Sequence, residues 1–140
     1  MPLRVLLAED EALVAMVLAD WLEAEGHEVV VTGDGAEALA AARDLDALDL
    51  LITDLRMPNL GGEGLIRALW AERPGLPVLV VTGSPPPGGA KALRQECGNC
   101  GPLVLLHKPL DFTALAAALR CVAAPPGPAR PRAALLPCGA

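Results

Sequence analysis

Five short aliphatic runs recur along the chain: Arg4 to Ala8, Val29 to Thr32, Leu50 to Thr53, Pro77 to Thr82 and Leu103 to Leu106. A segment of helical periodicity follows each. Parallel strands need crossovers of a dozen or more residues, which an α-helix supplies, so this alternation admits few architectures. It predicts an α/β fold, a doubly wound five-stranded parallel sheet with helices on both faces and right-handed crossovers. The apolar pattern leaves both common doubly wound strand orders open.

The helical segments differ in strength. Val14, Val17, Leu18, Trp21 and Leu22 recur at i, i+3, i+4, i+7 and i+8, and Gly26 ends that helix. Gly33-Asp34-Gly35 turns the second strand into an Ala-rich helix running through Arg43, with Ala38, Leu39 and Ala42 as its inner face. Gly61-Gly62 opens a third helix carrying Leu65, Ile66, Leu69 and Trp70, which Pro74-Gly75 closes. After the breaker Ser84-Pro85-Pro86-Pro87-Gly88-Gly89, the fourth helix, about Ala90 to Cys97, has only Leu93 as a strong core residue and is expected to be short and loosely held. Leu115, Leu119 and Val122 share a face of the last.

At 140 residues the chain suits one domain, over 1–123. The Pro-rich remainder, 124–140, is expected to be a disordered tail or a linker, because its prolines lack donors and block helix. A net charge of −6 argues against a phosphate-backbone binder and so against nucleic acid as a direct partner. The longest apolar run, Ala12 to Ala19, falls short of the roughly 18–20 residues a membrane span requires. Glu9-Asp10-Glu11 arrives too early for a secretory signal. A cytoplasmic protein is expected, with Cys97, Cys100, Cys121 and Cys138 as reduced thiols.

The decisive pattern lies at the strand ends. Glu9 and Asp10 follow the first strand, Asp54 the third and Lys108 the fifth, while Thr82 closes the fourth; a parallel sheet brings all of them to one rim, where open α/β sheets bind ligands. Three carboxylates gathered there would raise one another's pKa unless a cation intervened, and oxygen ligands suit Mg²⁺. A divalent cation, an ammonium and a hydroxyl around one carboxylate form a phosphoryl-transfer site, with Asp54 as the nucleophile. Asp10, with Glu9, would hold the metal, Lys108 would pair with phosphoryl oxygens, and Thr82 would hydrogen-bond another.

Leu7-Ala8-Glu9-Asp10-Glu11, Asp54-Leu55-Arg56-Met57-Pro58, Val81-Thr82-Gly83 and Lys108-Pro109, in this order, resemble the receiver domains of two-component response regulators, of the chemotaxis-regulator type. The resemblance spans about residues 3 to 123. It implies a flavodoxin-like sheet of order 2-1-3-4-5, phosphotransfer onto Asp54 from a sensor histidine kinase or a histidine phosphotransfer protein, Mg²⁺ dependence with the Arg56 backbone carbonyl as a further ligand, self-catalysed hydrolysis, and signalling through a downstream protein. No separate enzymatic activity is implied. Family members often carry an aromatic residue three positions before the lysine; here that position is Leu105. Arg56 and Ser84 are expected to tune the lifetime of the phosphoryl group.

Other readings compete. A phosphate-independent pseudo-receiver would account for Leu105 and the thin fourth helix. A phosphatase working through an aspartyl phosphate would want an acid where Arg56 stands. Gly33-Asp34-Gly35-Ala36-Glu37-Ala38 has the spacing of a dinucleotide fingerprint, but it follows the second strand and puts Asp34 where pyrophosphate would lie. Cys97-Gly98-Asn99-Cys100 trails a helix, whereas a redox pair would sit at a helix N-terminus.

Overall fold

The structure, a computed structural model, describes residues 2–122. The segment 124–140, read above as a disordered tail, lies outside the described residues. Five strands and five helices alternate: β1 (Arg4–Ala8), α1 (Ala12–Ala24), β2 (Glu28–Thr32), α2 (Gly35–Arg43), β3 (Leu50–Thr53), α3 (Gly62–Glu72), β4 (Val78–Thr82), α4 (Gly89–Glu96), β5 (Leu103–His107) and α5 (Phe112–Val122). The strands form one sheet of order β2-β1-β3-β4-β5, every neighbouring pair parallel. Of the two orders left open by periodicity, this is the one implied by the receiver resemblance.

Two apolar layers follow from the period-2 alternation of the strands. Leu6, Ala8, Leu51, Val78 and Val80 face α2, α3 and α4 through Ala38, Ala42, Leu65, Ile66, Leu69, Trp70 and Leu93. Val5, Leu7, Leu50, Ile52, Leu79 and Val81 face α1 and α5 through Leu18, Leu22, Leu115, Leu119 and Val122. Burying each leucine contributes on the order of 2 kcal/mol, so the central strands β1, β3 and β4, apolar on both sides, anchor the molecule. Trp70, the largest side chain fully buried, satisfies its indole N–H on the Leu76 carbonyl at 2.8 Å.

Two details differ from expectation. α1 buries Ala15, Leu18, Ala19 and Leu22 and leaves Leu13, Met16 and Val17 exposed, so its inner face is rotated toward the alanines. Small residues let the helix approach the sheet closely, while Val14 packs only partly against this layer and Val17 is left exposed. In α4 only Leu93 is buried, as expected of this short helix. Cys97 and Cys121 carry free thiols, but Cys100 is disulfide-bonded, so the expectation of reduced cysteines fails there and the C-x-x-C does not close on itself.

The G-x-G-x-x-A segment serves as a helix start. Asp34 caps α2 by accepting the Glu37 N–H at 2.8 Å, and Asn59 donates to its other oxygen. At the far end of α2, the Arg73 guanidinium donates to the carbonyls of Ala42 and Leu45. His27 accepts the Leu3 N–H on Nδ1, which ties the β1 entry to β2. Among the described residues no helix is long and apolar enough to cross a membrane.

Candidate functional site

Backbone hydrogen bonds carry the sheet ladder past the strand ends and hold the rim residues in place. The Glu9 N–H donates to Thr32 O, the Asp54 N–H to Ala8 O and the Lys108 N–H to Thr82 O, at 3.1, 3.1 and 2.9 Å. Sites on such elements are positioned more tightly than sites on loops. Behind Asp54, Gly62 packs so closely on the Asp54 carbonyl and the Leu55 backbone that a side chain there would collide with main chain.

The Asp54 carboxylate is buried and fully engaged. Oδ1 accepts the Leu55 N–H at 2.6 Å and, at 3.4 Å, the Arg56 N–H; Oδ2 faces the Lys108 ammonium at 2.8 Å. The same ammonium lies 2.8 Å from Glu9 Oε1 and 2.8 Å from Glu11 Oε1. One cation therefore serves three carboxylates, whose oxygens lie within 4.8 Å of one another.

The charges respond accordingly. Burial raises the Glu9 carboxyl to about 7, and the nearby Asp54 charge adds to this, with the Lys108 hydrogen bond only partly opposing it. Burial also acts to raise Asp54, but the Lys108 ammonium and the Leu55 N–H outweigh it and hold Asp54 below the usual carboxylate range. Burial acts to lower Lys108, and its three carboxylate partners more than reverse that. Asp54 is thus the ionised, hydrogen-bonded member of the cluster and Glu9 its readily protonated neighbour.

Beside the cluster opens a cavity of ≈ 240 Å³ lined by Asp10, Glu11, Asp54, Arg56, Thr82, Gly83, Ser84 and Lys108. All seven residues singled out from the sequence are therefore at this rim: Glu9, Asp54 and Lys108 in direct contact, and Asp10, Arg56, Thr82 and Ser84 around the opening. The Thr82 hydroxyl accepts the Ser84 N–H at 3.2 Å. Asp10 lies on the exposed edge and is not one of the three clustered carboxylates. The sequence reading passed over Glu11, which takes the third place; its signal was the third acid of Glu9-Asp10-Glu11.

Residues 5–120 match the family described as the response regulator receiver domain. The chain belongs to this family. Over 119 residues it is 36% identical to the transcriptional regulatory protein PdtaR of Mycobacterium tuberculosis, a match covering 84% of this chain and 55% of that protein. It spans about half the length of this relative. Among solved structures, the receiver fold here is similar to the chemotaxis protein CheY4 of Vibrio cholerae, with TM-score 0.73, 27% identity, and 87% of this chain and 99% of that chain covered. The receiver domain of the hybrid histidine kinase CckA is 31% identical, with TM-score 0.68 and coverage of 84% and 96%.

Proposed function

We propose that this receiver accepts a phosphoryl group on Asp54 in a Mg²⁺-dependent reaction, from the phosphohistidine of a sensor kinase or histidine phosphotransfer protein, and acts as a phosphorylation switch or relay through protein contacts. The observation that carries the reading is the Asp54 carboxylate itself: ionised, fixed on one oxygen by backbone N–H groups, and paired on the other with a lysine at the mouth of an open acidic cavity.

The donor set fits the cation. The buried carboxylates of Glu9 and Asp54, with oxygens within 4.8 Å of each other, are ligands a hard divalent ion takes, and Asp10 and Arg56 line the cavity beside them. Asp54 and Asp10, with Glu9 and the Arg56 backbone carbonyl, would hold Mg²⁺, which when bound neutralises charge on the transferred oxygens. In the transfer, an Asp54 oxygen attacks phosphorus, a P–O bond forms, the P–N bond to the donor imidazole breaks, and the leaving nitrogen keeps the electron pair. The Lys108 ammonium pairs with a phosphoryl oxygen. Thr82, whose oxygen already accepts the Ser84 N–H, donates its hydroxyl hydrogen to another. Hydrolysis restores Asp54 when water attacks phosphorus and the acyl phosphate P–O bond breaks; that Arg56 and Ser84 line the opening supports a role for them in tuning its rate.

A second cavity, ≈ 480 Å³ and largely apolar, adjoins the site along α1, lined by Leu13, Val14, Val17, Pro109 and Leu110 with Glu11 and Lys108. We assign the donor protein to this groove, because it places an apolar partner surface beside Asp54. The relatives named as transcriptional regulators extend well beyond the matched stretch, so the output is assigned to segments or partners outside it, and the acidic domain is not proposed to bind nucleic acid itself.

The test is the intact mass after incubation with acetyl phosphate. One added phosphoryl group, dependent on Mg²⁺ and absent from Asp54→Asn, is expected. An unmodified protein that is folded would instead favour the phosphate-independent binding module, the reading to which Leu105, half-buried against the α4-side core, lends support.

A further inference from the structure

Glu11 occupies the N-cap of α1, yet its side chain makes no hydrogen bond to the first turn of that helix. A short polar side chain is the usual occupant of an N-cap because it can reach those N–H groups. Glu11 instead reaches across the rim to Lys108, with Oε1 at 2.8 Å from Nζ. Its exposure separates it from the other two partners of the lysine: the Glu11 side chain is 60% exposed, against 2% for Glu9 and 7% for Asp54. Glu11 and Lys108 together also line both cavities, the acidic one at Asp54 and the apolar groove along α1.

A divalent cation held by the inner carboxylates competes directly with the ammonium, since like charges a few ångströms apart repel and both need the same oxygens. Lys108 must then yield Asp54 and Glu9 while staying close enough to meet an incoming phosphoryl group. The geometry points to Glu11 as the positioning residue that keeps Lys108 at the rim when Mg²⁺ takes the inner carboxylates. Resting on the Mg²⁺-binding reading above, this gives Lys108 two seats: an inner one shared by Asp54 and Glu9, and an outer one on Glu11. The outer pair is also the wall between the phosphoacceptor cavity and the groove, so whatever moves the ammonium alters both.

The chain has only two lysines, Lys91 and Lys108, and Lys91 is exposed on α4. That makes the ammonium groups separable by ¹⁵N–¹H NMR, in which a side-chain ammonium gives a signal only while ion pairs shield it from exchange with water. The wild type is expected to show the Lys108 signal without Mg²⁺ and to keep it, shifted, when Mg²⁺ is added. Glu11→Gln is expected to show it without Mg²⁺ and to lose it with Mg²⁺, while its backbone spectrum stays dispersed. Retention of the signal in Mg²⁺-loaded Glu11→Gln would overturn the inference, because Lys108 would then hold its place without Glu11. Loss in both proteins would overturn it as well, by making Glu11 a ligand of the cation and not the seat of the lysine. Calorimetry on the wild type keeps the two levels apart: absence of Mg²⁺ binding removes the underlying reading and the inference with it, whereas Mg²⁺ binding with either contrary NMR result removes the inference alone.

Discussion

Cys97 shows how burial, the largest of several causes, can make a side chain sensitive to pH. It is 1% exposed at the end of α4, its Sγ 3.7 Å from the Glu63 carbonyl. Burial pushes its thiol up from 9.0 to about 11, the charges of Glu96 and Glu63 add to this, and Arg67 partly opposes it. Because the folded-state value lies above the unfolded one, the folded protein keeps a proton that the unfolded chain has released; the associated stability is complete below pH 9 and is lost as pH rises toward 11. Between pH 9 and about 10.5, before the lysines titrate, the wild type should lose up to about 1.4 kcal/mol per pH unit relative to Cys97→Ala. Urea midpoints for the two proteins at half-unit intervals check this, and parallel pH slopes would refute it. The chain contains no Tyr, so no phenol titrates in that window. The site residues were more legible in the sequence than this thiol was. Asp54 and Lys108 stand immediately after aliphatic runs, where topology fixes their direction, whereas the contact of Glu11 with Lys108 joins residues 97 positions apart through side-chain reach, which no local pattern encodes.

At the scale of elements, the strands and α3 follow directly from periodicity: Leu65, Ile66, Leu69 and Trp70 are all buried, as their spacing requires. α1 was harder, because its larger apolar residues mark a wider stripe than the sheet can accept, and the alanines win the closest contact. The consequence is a groove whose apolar lining, Leu13, Val14 and Val17 from α1 with Pro109 and Leu110 from the β5–α5 turn, is left without cover inside the described residues. If a histidine-bearing partner seats there, Leu13→Ser and Val17→Ser should each slow phosphotransfer from that protein by about five- to thirtyfold, since losing a buried aliphatic anchor at an interface costs on the order of 1–2 kcal/mol. Acetyl phosphate needs no such surface. Its reaction with Asp54 should remain within twofold of the wild type, and equal slowing by both donors would place the defect in the site or the fold instead of the groove. Both substitutions fall on exposed positions, so the variants should fold normally.

For the whole molecule, the doubly wound sheet does two things at once. It buries β1, β3 and β4 on both faces, and it delivers their carboxyl ends to one rim, where the most stable part of the fold supports its least comfortable electrostatics. The strand order was legible only through the family resemblance, because aliphatic runs of similar composition do not say which strand lies next to which. A chain of net charge −6 that brings together Glu9, Glu11 and Asp54 balances them locally with one ammonium. On the proposed Mg²⁺ binding, folding and cation binding would be linked: Mg²⁺ that binds the assembled carboxylates but not the unfolded chain should stabilise the protein by about 2.7 kcal/mol at a hundredfold excess over Kd. Without Mg²⁺, Asp54→Asn should be somewhat less stable than the wild type, since the Lys108 and Leu55 contacts that hold Asp54 below the usual carboxylate range favour its charged form, and the relief of repulsion on Glu9 offsets only part of that loss. With Mg²⁺ it should lose most of the gain. Thermal unfolding of both proteins across a Mg²⁺ titration, at constant ionic strength so that screening does not vary, separates the two effects. A shift of equal size in Asp54→Asn would mean that the ion stabilises the acidic chain generally and not through this rim, and the link between sheet topology and the metal would fail with it.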